Sequence, residues 1–203
     1  MSQRDPEQQQ QRHQQRQQRL KQKVEEKVEA AQQDKGLLLI LTGNGKGKST
    51  AGFGTVLRAV GHGLQCRVAQ FIKGQWACGE RDVLERLGVP FEVMRTGFTW
   101  NTQDRALDIA AAERVWQAIL PALQDPHVDV VLLDELTYMI SYGYLDIDLV
   151  LQALAQRPAH QHVVITGRAC HRRLLELADT VSEITPVKHA FDAGIKAQRG
   201  IDW

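Results

Sequence analysis

The stretch from residue 36 to residue 60 constrains the fold more than any other part of the sequence. It begins with GLLLILT (36–42), an apolar run that predicts a buried strand, and continues directly into the glycine-rich GNGKGKST (43–50). A helical pattern follows from Lys48 to about Val60. The glycines allow successive backbone N–H groups to point inward at the start of the helix, which makes a cradle for an anion.

Short apolar runs alternate with helical patterns along the rest of the chain. Further strands are predicted at 66–73, 91–96, 128–135 and 162–167, and further helices at 81–88 and 104–120. This alternation predicts an α/β fold, in which a mostly parallel sheet is covered by helices on both faces. Ligands of such sheets bind beyond the carboxyl ends of the strands.

The glycine-rich loop departs by one residue from the usual phosphate-loop pattern, G-x-x-x-x-G-K-[ST]. Counting back from Gly47-Lys48-Ser49 places the first glycine of the pattern at 42, where this chain has Thr42, and Gly43 comes one position late. The flanking strand and helix nevertheless fit. We therefore predict that Lys48 reaches the phosphates of a nucleotide and that the Ser49 hydroxyl binds Mg²⁺.

Two further basic residues extend the predicted nucleotide site. Lys46 adds a cation inside the loop beyond the one lysine that the pattern requires, and Arg58 lies along the following helix. Together they indicate a site for more phosphate charge than one transferred group needs, although Arg58 fits a surface helix residue equally well. The full predicted set is Thr42, Gly43, Asn44, Gly45, Lys46, Gly47, Lys48, Ser49, Thr50 and Arg58.

A second motif strengthens the prediction of a phosphate loop. The apolar run VVLLDE (130–135) ends in Asp134 and Glu135, which is the form of a Walker B strand. A carboxylate at the end of a buried strand needs a partner, and Mg²⁺ or Mn²⁺ held beside Ser49 would supply it through either acid. The two motifs together predict a P-loop NTPase-like (RecA-like) domain.

Three other segments bear on the chemistry. The loop RTGFTWNTQ (95–103) carries Phe98 and Trp100, and Trp76 follows the second strand. Large aromatic side chains in polar loops either meet a flat or apolar ligand or fold back on the core. The C-terminal VKHAFDAGIKAQRGIDW (187–203) is basic, and it is either shaped by a ligand or partner subunit or is a surface tail.

Composition excludes several classes of function. The net charge of +1 gives no reason to expect a nucleic-acid partner, and the three cysteines lack metal-ligand spacing. No apolar run approaches the roughly 18 residues that span a bilayer, and the polar start lacks the apolar core of a secretion signal. We therefore predict a cytoplasmic protein with neither nucleic-acid nor membrane partners.

Residues 1–33 differ from the rest of the chain. They are rich in glutamine, carry scattered Arg and Lys, and include almost no apolar residue before Leu20, so we predict a largely disordered tail. Leu20, Val24 and Val28 recur at a spacing of four, which places them on one helical face. A solvated tail and a lid helix near 20–33 that folds over a ligand both remain open.

A phosphate loop predicts a nucleotide but not a reaction. A P-loop kinase or NTPase acting on the γ-phosphate, and a nucleotide-dependent binding module, both fit the loop. Taken together, however, TGNGKGKSTAGFGTVLRAVGHG, QFIKG, GFTW, LLDELTY, ITGR and HAFDAGIKAQRGID resemble the P-loop type of ATP:cob(I)alamin (corrinoid) adenosyltransferase. The resemblance extends from about Gly36 to Trp203, so it makes 34–203 the catalytic domain.

The resemblance implies an unusual use of the loop. ATP would be the adenosyl donor: cobalt(I) of a corrinoid substrate attacks the ribose 5′-carbon, and the whole triphosphate leaves. The nucleotide would be reversed in the loop relative to common P-loop enzymes. Lys48 and Mg²⁺ would then stabilise the charge that develops on the leaving group.

The resemblance also implies roles for Phe98 and Trp100, which would press on the lower face of the corrin and replace its axial ligand. A histidine ligand would oppose the reduction to cobalt(I), so His62, His127 and His171 are not predicted as ligands. The sequence has no flavin fingerprint or iron–sulfur spacing, which implies an external flavoprotein reductant. The family further implies a homodimer.

Overall fold

The computed structural model describes residues 6–72, 78–94 and 104–202. The chain separates into two compact units, Met1–Asp34 and Lys35–Trp203. Among the described residues, no helix is long and apolar enough to cross a membrane. All three cysteines are among the described residues, and none of them forms a disulfide.

In the part of the N-terminal unit that the structure describes, one helix, α1, extends over Pro6–Ala30. All of its side chains that the structure describes are exposed, including Leu20, Val24 and Val28. The helix begins well before the 20–33 stretch that the apolar spacing singles out. Because a helix without a buried apolar face is marginal in water, disorder of the isolated segment stays a prediction.

The described part of the second unit contains six strands and six α-helices, with one helix between successive strands except between the fourth and fifth, where there are two. The strands are β1 (Leu38–Thr42), β2 (Cys66–Gln70), β3 (Phe91–Val93), β4 (Val130–Asp134), β5 (His162–Thr166) and β6 (Thr180–Glu183). The helices are α2 (Lys48–Gly61), α3 (Gly79–Arg86), α4 (Arg105–Gln124), α5 (Leu136–Ser141), α6 (Ile147–Gln156) and α7 (Arg172–Leu177). A 3₁₀ helix follows at Phe191–Ala193.

The strands form one sheet in the order β3-β2-β4-β5-β1-β6, and every pair is parallel. The predicted α/β P-loop NTPase-like fold is therefore confirmed. Every strand and helix range predicted for this unit corresponds to an observed element, with ends shifted by up to four residues. The sequence pattern missed β6 because this short edge strand is exposed along its whole length and lacks an apolar signal.

The core lies in two layers, one on each face of the sheet. Along β4, Val131 and Leu133 belong to the layer that includes Trp116 of α4, whereas Leu132 belongs to the layer that includes Phe53 of α2. This alternation follows from the opposite directions of successive side chains in a strand. The two layers hold the carboxyl ends of β1, β2, β4 and β5 side by side, and these ends carry the polar residues of the site.

Candidate nucleotide-binding site

The loop between β1 and α2 depends on its glycines for two different reasons. Gly43 and Gly47 have φ angles of 97° and 116°, a region that side chains other than glycine rarely adopt. Gly43 and Gly45 also approach another segment, since a Cβ on either would lie 2.5 Å or 2.7 Å from the Ile184 carbonyl oxygen. The loop is thus shaped both by its own turns and by the chain that follows β6.

Backbone hydrogen bonds join the loop to this segment. The Gly45 N–H donates to the Ile184 carbonyl at 2.6 Å, and the Ile184 N–H donates to the Thr42 carbonyl at 2.8 Å. The sequence leads us to expect successive N–H groups of the loop to point inward at a ligand. The Gly45 N–H is instead used by Ile184, so the cradle relies on the other donors of the loop.

Lys48 is the first residue of α2, and its ammonium group donates to the Gly45 carbonyl at 2.7 Å. Burial and the nearby Arg168 guanidinium lower the Lys48 pKa, while the carboxylates of Glu135 and Asp134 oppose this shift. The structure therefore places the predicted phosphate-binding lysine close enough to the two predicted acids for their charges to interact. An anionic phosphate would favour the charged form of Lys48.

Asp134 ends β4 and is fully buried. Its Oδ1 accepts a hydrogen bond from the Thr166 hydroxyl at 2.7 Å, and its Oδ2 accepts one from the Gln70 amide at 3.3 Å. Thr166 and Gln70 end the two strands that flank β4, so the carboxylate is held from both sides. These two hydrogen bonds offset part of the free-energy cost of burying the carboxylate.

Glu135 turns the chain out of the strand. Its φ is 63°, in the left-handed region that is uncommon for glutamate, and its N–H donates to the Thr166 hydroxyl at 2.9 Å. The same hydroxyl thus accepts from Glu135 and donates to Asp134. Thr166 therefore links the Asp134 carboxylate to the Glu135 backbone.

The turn after β5 is equally restricted. Gly167 has a φ of 138°, and a Cβ there would lie 2.0 Å from the Thr137 hydroxyl oxygen. That hydroxyl donates to the Arg168 carbonyl at 2.6 Å, which ties the start of α5 to the chain following β5. The close approach explains why glycine precedes Arg168.

The oxygen donors of this site fit a hard divalent cation such as Mg²⁺. Ser49, Asp134 and Glu135 offer a hydroxyl and carboxylates, and each Asp134 oxygen retains acceptor capacity beyond its one hydrogen bond. The Gln70 Oε1 is buried and has no hydrogen-bond partner in the described ranges, so it could accept from a metal-bound water. Across those ranges, no group of three His, Cys, Asp or Glu residues forms an alternative metal site.

The other predicted basic and aromatic residues do not all lie at the loop. Lys46 forms an ion pair with Asp202, with 2.7 Å between Nζ and Oδ1. Arg58 lies in the last turn of α2, about 15 Å along the helix from Lys48, so the structure does not bring it to the loop. Phe98, Trp100 and Trp76 lie outside the described residues.

Sequence reasoning missed the contacts of three residues at this site, namely Gln70, Thr166 and Ile184. Thr166 is the last residue but one of the predicted strand 162–167, whereas Gln70 lies inside the predicted strand 66–73, and a polar side chain in an apolar run is the local signal that they carry. Ile184 carries no such signal in the sequence, because its contacts with the loop are made by its backbone. Their roles depend on which strands are neighbours in the sheet.

The fold and the site define this chain as a P-loop nucleotide-binding protein. A glycine-rich loop joins a parallel strand to a helix that begins with lysine, and a second strand presents two acids to the same site. The chain belongs to the ATP:corrinoid adenosyltransferase family, whose model (BtuR/CobO/CobP) matches residues 34–203.

Curated relatives extend the comparison. The corrinoid adenosyltransferase of Escherichia coli K12 and the corrinoid adenosyltransferase CobA of Salmonella typhimurium are each 61% identical over 173 residues, 85% of this chain and 88% of the relative. The corrinoid adenosyltransferase of Pseudomonas aeruginosa is 50% identical over 175 residues, 85% of this chain and 86% of the relative. These matches cover most of this chain and most of each relative.

Proposed function

We propose that this protein transfers the 5′-deoxyadenosyl group of ATP to cobalt(I) of a corrinoid, with tripolyphosphate as the second product, in adenosylcobalamin biosynthesis and corrinoid salvage. The observation that carries this proposal is the family match over residues 34–203, which contain the phosphate loop and both acids. Cobalt(I) supplies the electron pair for the new Co–C bond. The C5′–O bond breaks, and its electrons leave on the triphosphate oxygen.

This reaction gives the loop and Lys48 a leaving group to stabilise. Negative charge develops on the oxygen that departs from C5′, and preorganised donors aimed at that charge lower the barrier. Lys48 and the N-terminus of α2 supply such donors. Lys46 adds a second ammonium group once it exchanges Asp202 for phosphate.

Ser49, Asp134 and Glu135 would hold Mg²⁺ or Mn²⁺. A bound divalent cation would neutralise part of the triphosphate charge. Thr166 and Gln70 would keep the Asp134 carboxylate oriented, since each donates a hydrogen bond to it from a neighbouring strand. Which of the two acids contacts the ion directly is a question for metal-titration of the D134N and E135Q variants.

Phe98 and Trp100 remain our proposed corrinoid-binding residues, on the family resemblance. Apolar side chains in place of an axial donor would destabilise cobalt(II) relative to cobalt(I). An external flavoprotein would supply the electron. A homodimer and a cytoplasmic location complete the proposal, the latter supported by three cysteines that form no disulfide.

Analysis of the products tests this function. The full chain should be incubated with ATP, Mg²⁺ and chemically reduced cobalamin, and both products followed. We expect a light-sensitive cobalt–carbon species together with tripolyphosphate. Formation of only ADP and phosphate would support a kinase or NTPase instead, and tight ATP binding without turnover would support a binding module.

A further inference from the structure

A basic pocket lies beside the phosphate loop and is formed largely by the C-terminal segment. It encloses about 250 Å³, and its lining includes four basic side chains, Lys46, Lys188, His189 and Lys196. Among the lining residues that the structure describes, Asp202 is the single carboxylate. The pocket thus concentrates positive charge in a chain whose net charge is only +1.

Asp202 is held firmly as the partner of Lys46. Its Oδ1 lies 2.7 Å from the Lys46 ammonium, and its Oδ2 accepts from the Gln198 N–H at 2.7 Å. The Asp202 N–H donates back to the Gln198 carbonyl at 2.8 Å, which closes a tight turn. The hydrogen bonds from Lys46 and Gln198 lower the Asp202 pKa, with a smaller contribution from His189.

The pocket and the loop are parts of one structure. Lys46 belongs to both, and the Ile184 backbone is hydrogen-bonded to Thr42 and Gly45 on the loop side. The segment that carries Lys188 follows Ile184 by only a few residues. Lys46 is therefore shared by the loop and the pocket.

We propose that this pocket is an anion subsite for the end of a triphosphate chain, with Lys188 and Lys196 as its principal ligands. In the ligand-free protein, Asp202 occupies Lys46 as a substitute anion. A polyphosphate carries several negative charges and displaces this single carboxylate, and Asp202 recaptures Lys46 when the polyphosphate departs. The proposal rests on the proposed function, since it assigns a place to the leaving triphosphate.

Calorimetric titration of the full chain with tripolyphosphate and with pyrophosphate tests the subsite. Asp202→Asn removes the competing carboxylate, so we expect about threefold tighter tripolyphosphate binding, the scale of one exposed ion pair. The double variant K188Q/K196Q loses two cationic contacts, so we expect about tenfold weaker tripolyphosphate binding at low salt. Pyrophosphate is too short to fill both the loop and the pocket, and its affinity should change much less in K188Q/K196Q.

Matched variants separate a specific effect from a general change of charge. Glu85→Gln and Arg86→Gln alter charges on exposed residues near the end of α3, and we expect neither to change tripolyphosphate affinity. If Asp202 acts through Lys46, the gain from D202N disappears in a K46Q background. If D202N raises tripolyphosphate affinity equally in the K46Q background, or if E85Q alone raises it as much, the proposal that Asp202 competes for Lys46 is overturned.

Unchanged tripolyphosphate affinity in K188Q/K196Q would overturn the subsite itself. So would equal weakening of pyrophosphate and tripolyphosphate binding. The result is distinguishable from failure of the proposed function, which would appear as no cobalt–carbon product from the wild-type chain. A wild-type chain that forms this product while the variants bind tripolyphosphate normally would leave the function intact and remove only the subsite.

Discussion

At the scale of single residues, Thr166 contacts both acidic residues of the site. Its hydroxyl donates to Asp134 and accepts from the Glu135 N–H, so one oxygen serves two groups at the end of β4. Asp134 is fully buried, and a buried carboxylate that loses a donor is costly. If Asp134 and Glu135 hold the metal ion as proposed, a change at Thr166 would reach the reaction through these two residues.

We expect Thr166→Val to lower the free energy of unfolding by about 1–3 kcal/mol, because it leaves buried polar groups without a partner. Chemical denaturation measures this change, and a Mg²⁺ titration of activity should show a weaker apparent metal affinity. Thr55→Val is the matched control, since the Thr55 hydroxyl donates only to the Ala51 carbonyl within α2. An equal effect of the two substitutions would contradict the role of Thr166.

Two glycines of the domain should respond in opposite directions to alanine. Gly167→Ala places a Cβ 2.0 Å from the Thr137 hydroxyl at a φ of 138°, so we expect a loss of several kcal/mol or failure to fold. Gly54→Ala meets nothing within 4 Å in α2 and should stabilise the helix by about 1 kcal/mol. Thermal melts measure both changes, and equal melting temperatures would refute the contrast.

At the scale of elements, β6 is tied to its neighbour β1 by contacts beyond both ends of the strand. At the amino edge, Asp179 precedes β6 and accepts from the Lys35 ammonium and, at 2.9 Å, from the Leu38 N–H at the start of β1. At the carboxyl edge, Ile184 follows β6 and is hydrogen-bonded to the loop. The strand β6, which has no apolar pattern, is therefore held in place by the hydrogen bonds of the residues just before and after it.

Asp179→Asn tests the tie at the amino edge. The hydrogen bonds from Lys35 and Leu38 lower the Asp179 pKa, so the carboxylate stabilises the fold above the ordinary aspartate pKa. This contribution is lost as the pH falls through the lowered pKa of the folded state. We expect D179N to reduce the free energy of unfolding by about 1 kcal/mol at pH 7, because an exposed pair is screened by solvent.

The difference between wild type and D179N should shrink as the pH falls below 3.8, the ordinary value for aspartate. Denaturation curves between pH 7 and pH 3 measure it. Asp148→Asn provides the control, since the Asp148 carboxylate pairs with Arg173 on an exposed surface. A D179N deficit that is constant with pH would contradict the assigned cause.

Sequence predicts well the features whose signals are local. The β1–loop–α2 unit and the acids at the end of β4 each occupy one short stretch with a distinctive pattern, and the structure places both as expected. The contacts of Asp134 with Gln70 and Thr166 span 64 and 32 residues, and they require knowledge of the strand order. The use of the Gly45 N–H by Ile184 was unpredictable for the same reason.

At the scale of the whole molecule, the chain divides after Asp34, and the strands and both core layers lie in the second unit. Residues 34–203 are also the range that matches the family. The N-terminal helix is rich in glutamine and charged residues, and its described side chains are exposed. The stability of the domain should therefore be independent of this helix.

We expect deletion of residues 1–33 to change the melting temperature by no more than about 2 °C, since the residues of both core layers belong to the second unit. Calorimetry of the full and shortened chains measures this. Activity of the shortened chain then separates the two interpretations of the tail. A solvated tail predicts unchanged turnover, whereas a helix that folds over the ligand predicts a loss of turnover with an unchanged melting temperature.

The central claim is that the reaction takes place at the ribose 5′-carbon, with the triphosphate as leaving group. ATP labelled with ¹³C at the 5′ position, supplied with Mg²⁺ and cob(I)alamin, tests it directly by NMR of the products. We expect the labelled carbon to be bonded to cobalt and one tripolyphosphate to form for each labelled corrinoid. Label that remains in ADP or AMP, with phosphate or pyrophosphate released, would contradict the account.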